Sequence, residues 1–183
     1  MIVAEGHRQM EEVGFARFSA REVAKRIGYS IGTIYNVFGS YDRLILAINT
    51  RTVGLWARHL ETLLQGAGED RIDCLVRGYF AFARAHPRSW AAIYDHRFPA
   101  GEPMPESFIL ALGALTGIVV DEVARALPPQ RRDEAPALAR SLLAIVHGHC
   151  QFAANGTFAL LGETDPVAAA LARVREGLAG RQG

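Results

Sequence analysis

Two cysteines, Cys74 and Cys150, are all that the 183 residues hold, and they lie far apart inside apolar stretches. That excludes a disulfide framework and leaves the expectation of buried, reduced thiols. No uninterrupted apolar run reaches the ~18 residues that suggest a membrane span, and the first residues show no signal-peptide pattern. A cytoplasmic protein without a membrane partner is expected. An excess of positive charge is missing too: 20 Lys and Arg against 19 Asp and Glu give a formal net charge of +1. This excludes a protein that coats nucleic acid through bulk charge, so any such affinity must come from a local patch.

Chemistry-bearing clusters are equally scarce. His147 and His149 would point about 200° apart on a helix and cannot share an ion. His147 and Cys150, at i and i+3, could share a face, but they are read as side chains and not as a metal site. Ser40 has no His and Asp at a spacing that suggests a triad and reads as a helix cap. No catalytic residue, metal or cofactor is expected. Repeats, low-complexity tracts and convincing strands are absent, and half of the residues are apolar, enough for a good core.

The informative stretch is Ser19 to Ile48. Ser19 and Glu22 form an S-x-x-E capping box, in which the hydroxyl accepts from an orphan amide and Glu22 reaches back to the Ser19 amide. Val23, Ala24 and Ile27 then share one side of a short helix that ends at Gly28. Gly28 can take the left-handed conformation that closes a helix, and Ser30 can cap a second helix. In that second helix Ile34, Val37 and Phe38 are expected to pack inward, leaving Thr33 and Asn36 on another face. Two short helices joined by a Gly-containing turn are the helix-turn-helix pattern, whose second helix presents its N-terminal residues to major-groove base edges.

The run Ser19, Arg21, Ala24, Gly28, Ser30, Gly32, Thr33, Ile34, Tyr35, Phe38, Ser40 and Leu44 resembles the N-terminal domain of the TetR family of bacterial transcriptional regulators. About thirty residues match, and the G-Y-S-x-G-T-I-Y-x-x-F core is specific. The resemblance and the residue chemistry together give a DNA-binding set of Arg21, Lys25, Ser30, Gly32, Thr33, Tyr35, Asn36 and Tyr41. The Arg21 fork can take a phosphate or the O6 and N7 of guanine. Thr33 can donate to a base or touch a thymine methyl, Asn36 can bind adenine in bidentate fashion, and Tyr35 can reach a phosphate. Ser30 and Lys25 are further phosphate candidates. Tyr41 stands where many relatives place a phosphate-pairing lysine, and no basic arm precedes the first helix.

The rest of the chain reads as helices. One covers Ile2 to Val13. A long one runs from Tyr41 to about Leu64, with a stripe of Leu44, Ile48, Thr52, Leu55, His59 and Leu63. Others cover Asp70 to His86, the stretch after Pro87, Pro105 to Leu127, Pro136 toward Phe158, and Pro166 to Leu178. Arg97 to Met104 and PQRRDE are expected as loops. The fold class is therefore all-α, and the resemblance implies an N-terminal helix-turn-helix DNA-binding domain, residues 1–48, and a C-terminal helical ligand-binding and dimerisation domain, residues 49–183.

The aromatic residues of the second domain are first of all core. Beside polar groups, Tyr79, Phe82, Trp90, Tyr94, Phe108, His147 and Gln151 are also what would line an effector pocket. The resemblance implies a homodimer through the last two long helices, whose Ala and Gly residues permit close approach. Partners would be double-stranded DNA carrying a pseudo-palindromic operator and a small-molecule effector, with the long helix from Tyr41 as the transmitting element. The function expected is a transcriptional regulator, a repressor released by its effector. Two alternatives are compatible with the same residues: a helical ligand-binding or interaction protein whose helix-turn-helix is non-functional, and a small all-helical enzyme.

Overall fold

The computed structural model describes residues 1–180, and within them all regular structure is helical, with no strand. The helices are α1 (Ile2–Val13), α2 (Ala20–Arg26), α3 (Ile31–Phe38), α4 (Tyr41–Gln65), α5 (Arg71–Ala85), α6 (Pro87–Asp95), α7 (Glu106–Ala126), α8 (Ala135–Ala154), α9 (Thr157–Leu161) and α10 (Pro166–Ala179). Phe15–Arg17 and Pro129–Glu134 are 3-10 turns. The second is the PQRRDE segment, which is tighter than the expected loop because Arg131 folds back on Glu134 at 2.9 Å. The helix expected to run toward Phe158 stops at Ala154. Gly156 (φ 79°) takes the left-handed conformation there, and the short α9 follows.

The chain divides into two compact units. The first comprises Met1–Ala57 and Ala85–Leu115, so it contains α6 as well as the helix-turn-helix. Its core is built from Met10, Phe18, Val23, Ile34, Leu44, Ile45 and Ile48, joined by Ala92 of α6. Polar ties reinforce the same join. Arg88 donates to the carbonyls of Glu11 and Glu12 at 3.1 and 2.7 Å, which are among the orphan acceptors at the end of α1. Asn49 Nδ2 donates to the Ala92 carbonyl, and His96 Nε2 lies 3.0 Å from the Asp42 carboxylate.

The second unit comprises Arg58–Arg84 and the chain from Thr116 onward. Here α8 packs against α10, with Leu142 and Val146 of α8 and Ala170, Leu171 and Val174 of α10 buried. Asp165 caps α10 by accepting from the Ala168 amide at 3.0 Å. Glu122 of α7 is 4 % exposed and takes Arg71 of α5 in bidentate fashion at 2.6 and 2.8 Å. Both cysteines are free thiols, Cys74 half-buried and Cys150 buried. Burial pushes the Cys150 thiol up to about 11.

The expectation that no unbroken apolar run reaches membrane-spanning length stands, with Asp121 ending the longest stretch in α7. By length and average composition alone α7 is nevertheless apolar enough to cross a membrane, with a mean hydropathy of 1.8 over its best 18-residue window, of which 17 % is buried. Gly113, Thr116 and Gly117 interrupt the apolar run without lowering its average much, so counting an unbroken run misses it.

Candidate nucleic-acid interface

The local sequence builds the helix-turn-helix much as its caps dictate. Ser19 accepts from the Glu22 amide at 3.3 Å and starts α2. The reciprocal half of the expected capping box is filled differently: the Ser19 amide donates to Gln9 Oε1 of α1 at 2.9 Å. Glu22 instead receives Arg26 at 3.1 Å. A buried glutamine from a neighbouring helix therefore replaces the local carboxylate, and this ties α1 to the start of α2.

At the other end of α2, Gly28 sits at φ 74°, where an L side chain is strained. Ser30 then accepts from the Thr33 amide at 3.1 Å, and its Oγ shares a 3.0 Å hydrogen bond with Thr33 Oγ1. Ile34 is fully buried, while Ile31 and Phe38 pack partly against the same core. Val37 does not follow them. It is 61 % exposed, against the expectation that it packs inward. The covered face of this two-turn helix is narrow, centred on Ile34, and a residue about 60° to one side already clears it.

The candidate residues are distributed as follows. Arg21 and Lys25 of α2 are exposed, and neither has a carboxylate partner among the described residues. Arg26 and Arg8, by contrast, are consumed in a network with Glu5, Glu12 and Glu22. Those hydrogen bonds raise the Arg26 pKa further above its already high value. The near-zero net charge thus hides a local imbalance, with the cations at the back of α2 neutralised and those at its front free. On α3, Gly32, Tyr35 and Asn36 are exposed and Thr33 is half-buried; Ser30 at the cap is exposed.

Tyr41 is half-buried beside Phe18, with ring centroids 6.1 Å apart. Burial, followed by the charges of Asp42 and Tyr35, pushes its phenol above the usual value. At pH 7 it is a neutral hydroxyl able to donate to a phosphate, and not a cation. Two further large side chains stand exposed on this surface, Val37 on α3 and Tyr29, 43 % exposed, in the turn.

The seven residues named for an effector pocket fall in both units. Trp90, Tyr94 and Phe108 belong to the first; Tyr79, Phe82, His147 and Gln151 belong to the second. Phe82 and Trp90 are buried, Phe108 half-buried, and Tyr94 and Gln151 exposed. Within the second unit an apolar cavity of about 50 Å³ is lined by Leu60, Leu75, Tyr79, Val119, Leu142 and Val146 among others. Of the seven residues, Tyr79 lines it. Its hydroxyl shares a 2.9 Å hydrogen bond with His147 Nδ1. Burial holds the His147 imidazole below its usual value, so it is neutral at pH 7 and its Nδ1 can accept. No group of three or more metal-ligating side chains occurs among the described residues.

Comparisons with known proteins agree with this geometry. The family model described as bacterial regulatory proteins, tetR family, matches residues 2–48. The one described as tetracyclin repressor-like, C-terminal domain, matches residues 72–174. No curated protein matches the sequence significantly. Among solved structures, a Rhodococcus sp. RHA1 protein of unknown function is similar with a TM-score of 0.76 and 24% identity, covering 98% of this chain and 94% of its own. A possible TetR family transcriptional regulator from Streptomyces coelicolor A3(2) is similar with a TM-score of 0.62 and 17% identity, covering 98% of this chain and 96% of its own. At those identities the structures speak for the fold, while the two family models between them span most of the chain and carry with them DNA binding and dimerisation through the C-terminal helices. The chain belongs to the TetR family of bacterial regulatory proteins and is a DNA-binding transcriptional regulator.

Proposed function

We propose that the protein is a cytoplasmic homodimeric repressor that holds a pseudo-palindromic operator and lets it go when a small molecule occupies the second unit. The observation that carries this reading is the surface of α2 and α3, where Arg21, Lys25, Ser30, Gly32, Tyr35 and Asn36 stand exposed together. In this reading α3 enters the major groove. Arg21, Lys25, Ser30, Tyr35 and Tyr41 meet the backbone and fix register, while Thr33 and Asn36 face base edges. Gly32 lets the groove approach the first turn of α3 without a side chain between.

Dimerisation is assigned to α8 and α10. Ala137, Ser141 and Ala144 are exposed along one side of α8, and the open space beside Gly148 continues that side. Small residues at this spacing allow a second copy to approach closely. The effector is assigned to the cavity beside Tyr79. Its aliphatic walls carry no charge, which suits an uncharged apolar molecule, because an unpaired charge there would lose hydration without compensation. At about 50 Å³ the cavity must widen to admit one. That coupling requires the ligand to prefer a dimer geometry that no longer matches the half-site spacing, with α4 as the lever.

The test is operator affinity of Arg21→Ala and Tyr35→Ala, measured after selecting bound duplexes from a random pool. Both should bind more weakly, with dimerisation and thermal stability near wild type. Unchanged affinity in both variants refutes the assignment. A salt series distinguishes a regulator from a protein that keeps an inert helix-turn-helix: specific binding should fall steeply as salt rises and favour the selected sequence over bulk DNA.

A further inference from the structure

We infer that α3 reads A·T base pairs, chiefly through thymine methyl groups, and makes no hydrogen-bonded contact to a G·C pair. The inference rests on the placement of α3 in the major groove and specifies what it recognises there. Guanine is read in bidentate fashion by Arg and Lys, and cytosine N4 donates to Asp and Glu, while Ser and Thr can bond to either kind of pair. The α3 sequence IGTIYNVF contains none of the first four, and the hydroxyl of its Thr33 is turned to Ser30 Oγ at 3.0 Å.

What α3 does offer is apolar, with one amide. Val37 is 61 % exposed and has no role in the core behind Ile34. Thr33, one turn earlier on the same flank, has its hydroxyl engaged by Ser30 Oγ at 3.0 Å, which leaves its methyl as the group to present. The methyls of Thr33 and Val37, at i and i+4, therefore form a short apolar strip. The one apolar group on a base edge in the major groove is the C5-methyl of thymine. Asn36 is exposed beside this strip, and its amide matches the N6 and N7 of adenine, the partner of thymine in the same pair. Both halves of the surface select the same base pair. Arg21 and Lys25 lie on α2, so their cations serve phosphates or flanking pairs and leave the reading of α3 unchanged.

The experiment uses the full-length protein and a duplex selected from a random pool. Each thymine of the half-site is replaced in turn by uracil, which keeps every hydrogen-bonding group and removes only the methyl. One or two positions per half-site should lose about fourfold in affinity, the value of one buried methyl-sized group. Val37→Ala, a substitution at an exposed position that favours helix, should bind the thymine and uracil duplexes equally at one of those positions. A half-site whose α3-contacted pairs are G·C, uracil substitution without effect at every position, or an undiminished thymine preference in Val37→Ala would each overturn the inference while leaving a functional regulator. Failure to enrich any duplex over bulk DNA would overturn it together with the operator reading.

Discussion

Ser30 is the position at which folding and DNA binding can be separated most cleanly. Its Oγ accepts from the Thr33 amide at 3.1 Å and so satisfies one of the orphan donors that open α3. The helix is eight residues long, too short to stand without its cap and its packing. Ser30→Ala should cost about 1 kcal/mol per protomer, a fall in melting temperature of roughly 2–4 °C for a chain of this size. Because affinity falls only as the ordered fraction of α3 falls, the same ~1 kcal/mol sets an upper limit of about fivefold per half-site, or about 25-fold for a dimer on two half-sites, reached where the first turn is mostly unordered in the free variant.

Two further substitutions at Ser30 distinguish order from charge. Asparagine caps as well as serine, so Ser30→Asn should restore both melting temperature and affinity. Aspartate also caps well and is favoured by the helix dipole, so Ser30→Asp should restore melting temperature. Its carboxylate, however, faces the phosphates, and affinity should stay low or fall further. Thermal unfolding by circular dichroism and fluorescence-anisotropy titration of the selected duplex read the two quantities separately. An Asp variant that binds like wild type would show that Ser30 does not lie at the DNA surface, and the orientation assigned to α3 would be wrong.

Two more expectations concern the second unit. Arg71 beside Glu122 holds that carboxyl below the usual value against a smaller opposing effect of burial. A depressed folded pKa means stability that is fully present above the unfolded value of about 4.3 and lost as pH falls through the folded value. Glu122→Gln should therefore melt lower than wild type at pH 7, with the gap closing toward pH 3; a gap independent of pH would exclude the ion pair as its cause. Val146→Leu adds a methylene to a cavity of about 50 Å³ and should raise stability by at most about 0.8 kcal/mol. It should also weaken operator release by an apolar effector, and a variant that responds to the effector like wild type would place the ligand elsewhere.

The sequence made the helix-turn-helix legible because its signals are local. Ser19, Gly28, Ser30 and Ser40 act on amides within a few residues, and Ser40 Oγ indeed accepts from the Arg43 amide at 3.2 Å. What it concealed depends on distant partners. Gln9 displaces Glu22 from the Ser19 amide because α1 folds over α2, and no spacing rule within 19–22 contains that fact. Val37 looked buried because a three- or four-residue period does not say how wide the covered face is. For the effector residues the difficulty is greater. Helical stripes identify which side chains are apolar, but not that Trp90 and Tyr94 belong to the unit built around Ile34 while Tyr79 and His147 belong to the other.

The membership of α6 in the first unit has a direct consequence for where the reading head ends. Ala92 is fully buried in the core that holds Ile34 and Leu44. Arg88 caps the end of α1, Glu11 accepts from Ser89 Oγ, and Asn49 is tied to the Ala92 carbonyl. A fragment of residues 1–57 lacks all of these. Its core would expose the surface that Ala92 covers, and α1 would lose its acceptors' partner, in a chain already near the size at which a single core is marginal. Such a fragment should lack a cooperative thermal transition and bind the selected duplex no better than bulk DNA. Arg88→Ala in the full chain, by contrast, should leave it folded but lower its melting temperature. A fragment that melts cooperatively and binds the operator would show that the head is complete without α6. The contacts of Arg88, Ser89 and Asn49 would then be incidental to it, and α6 could not act on the reading helix through them.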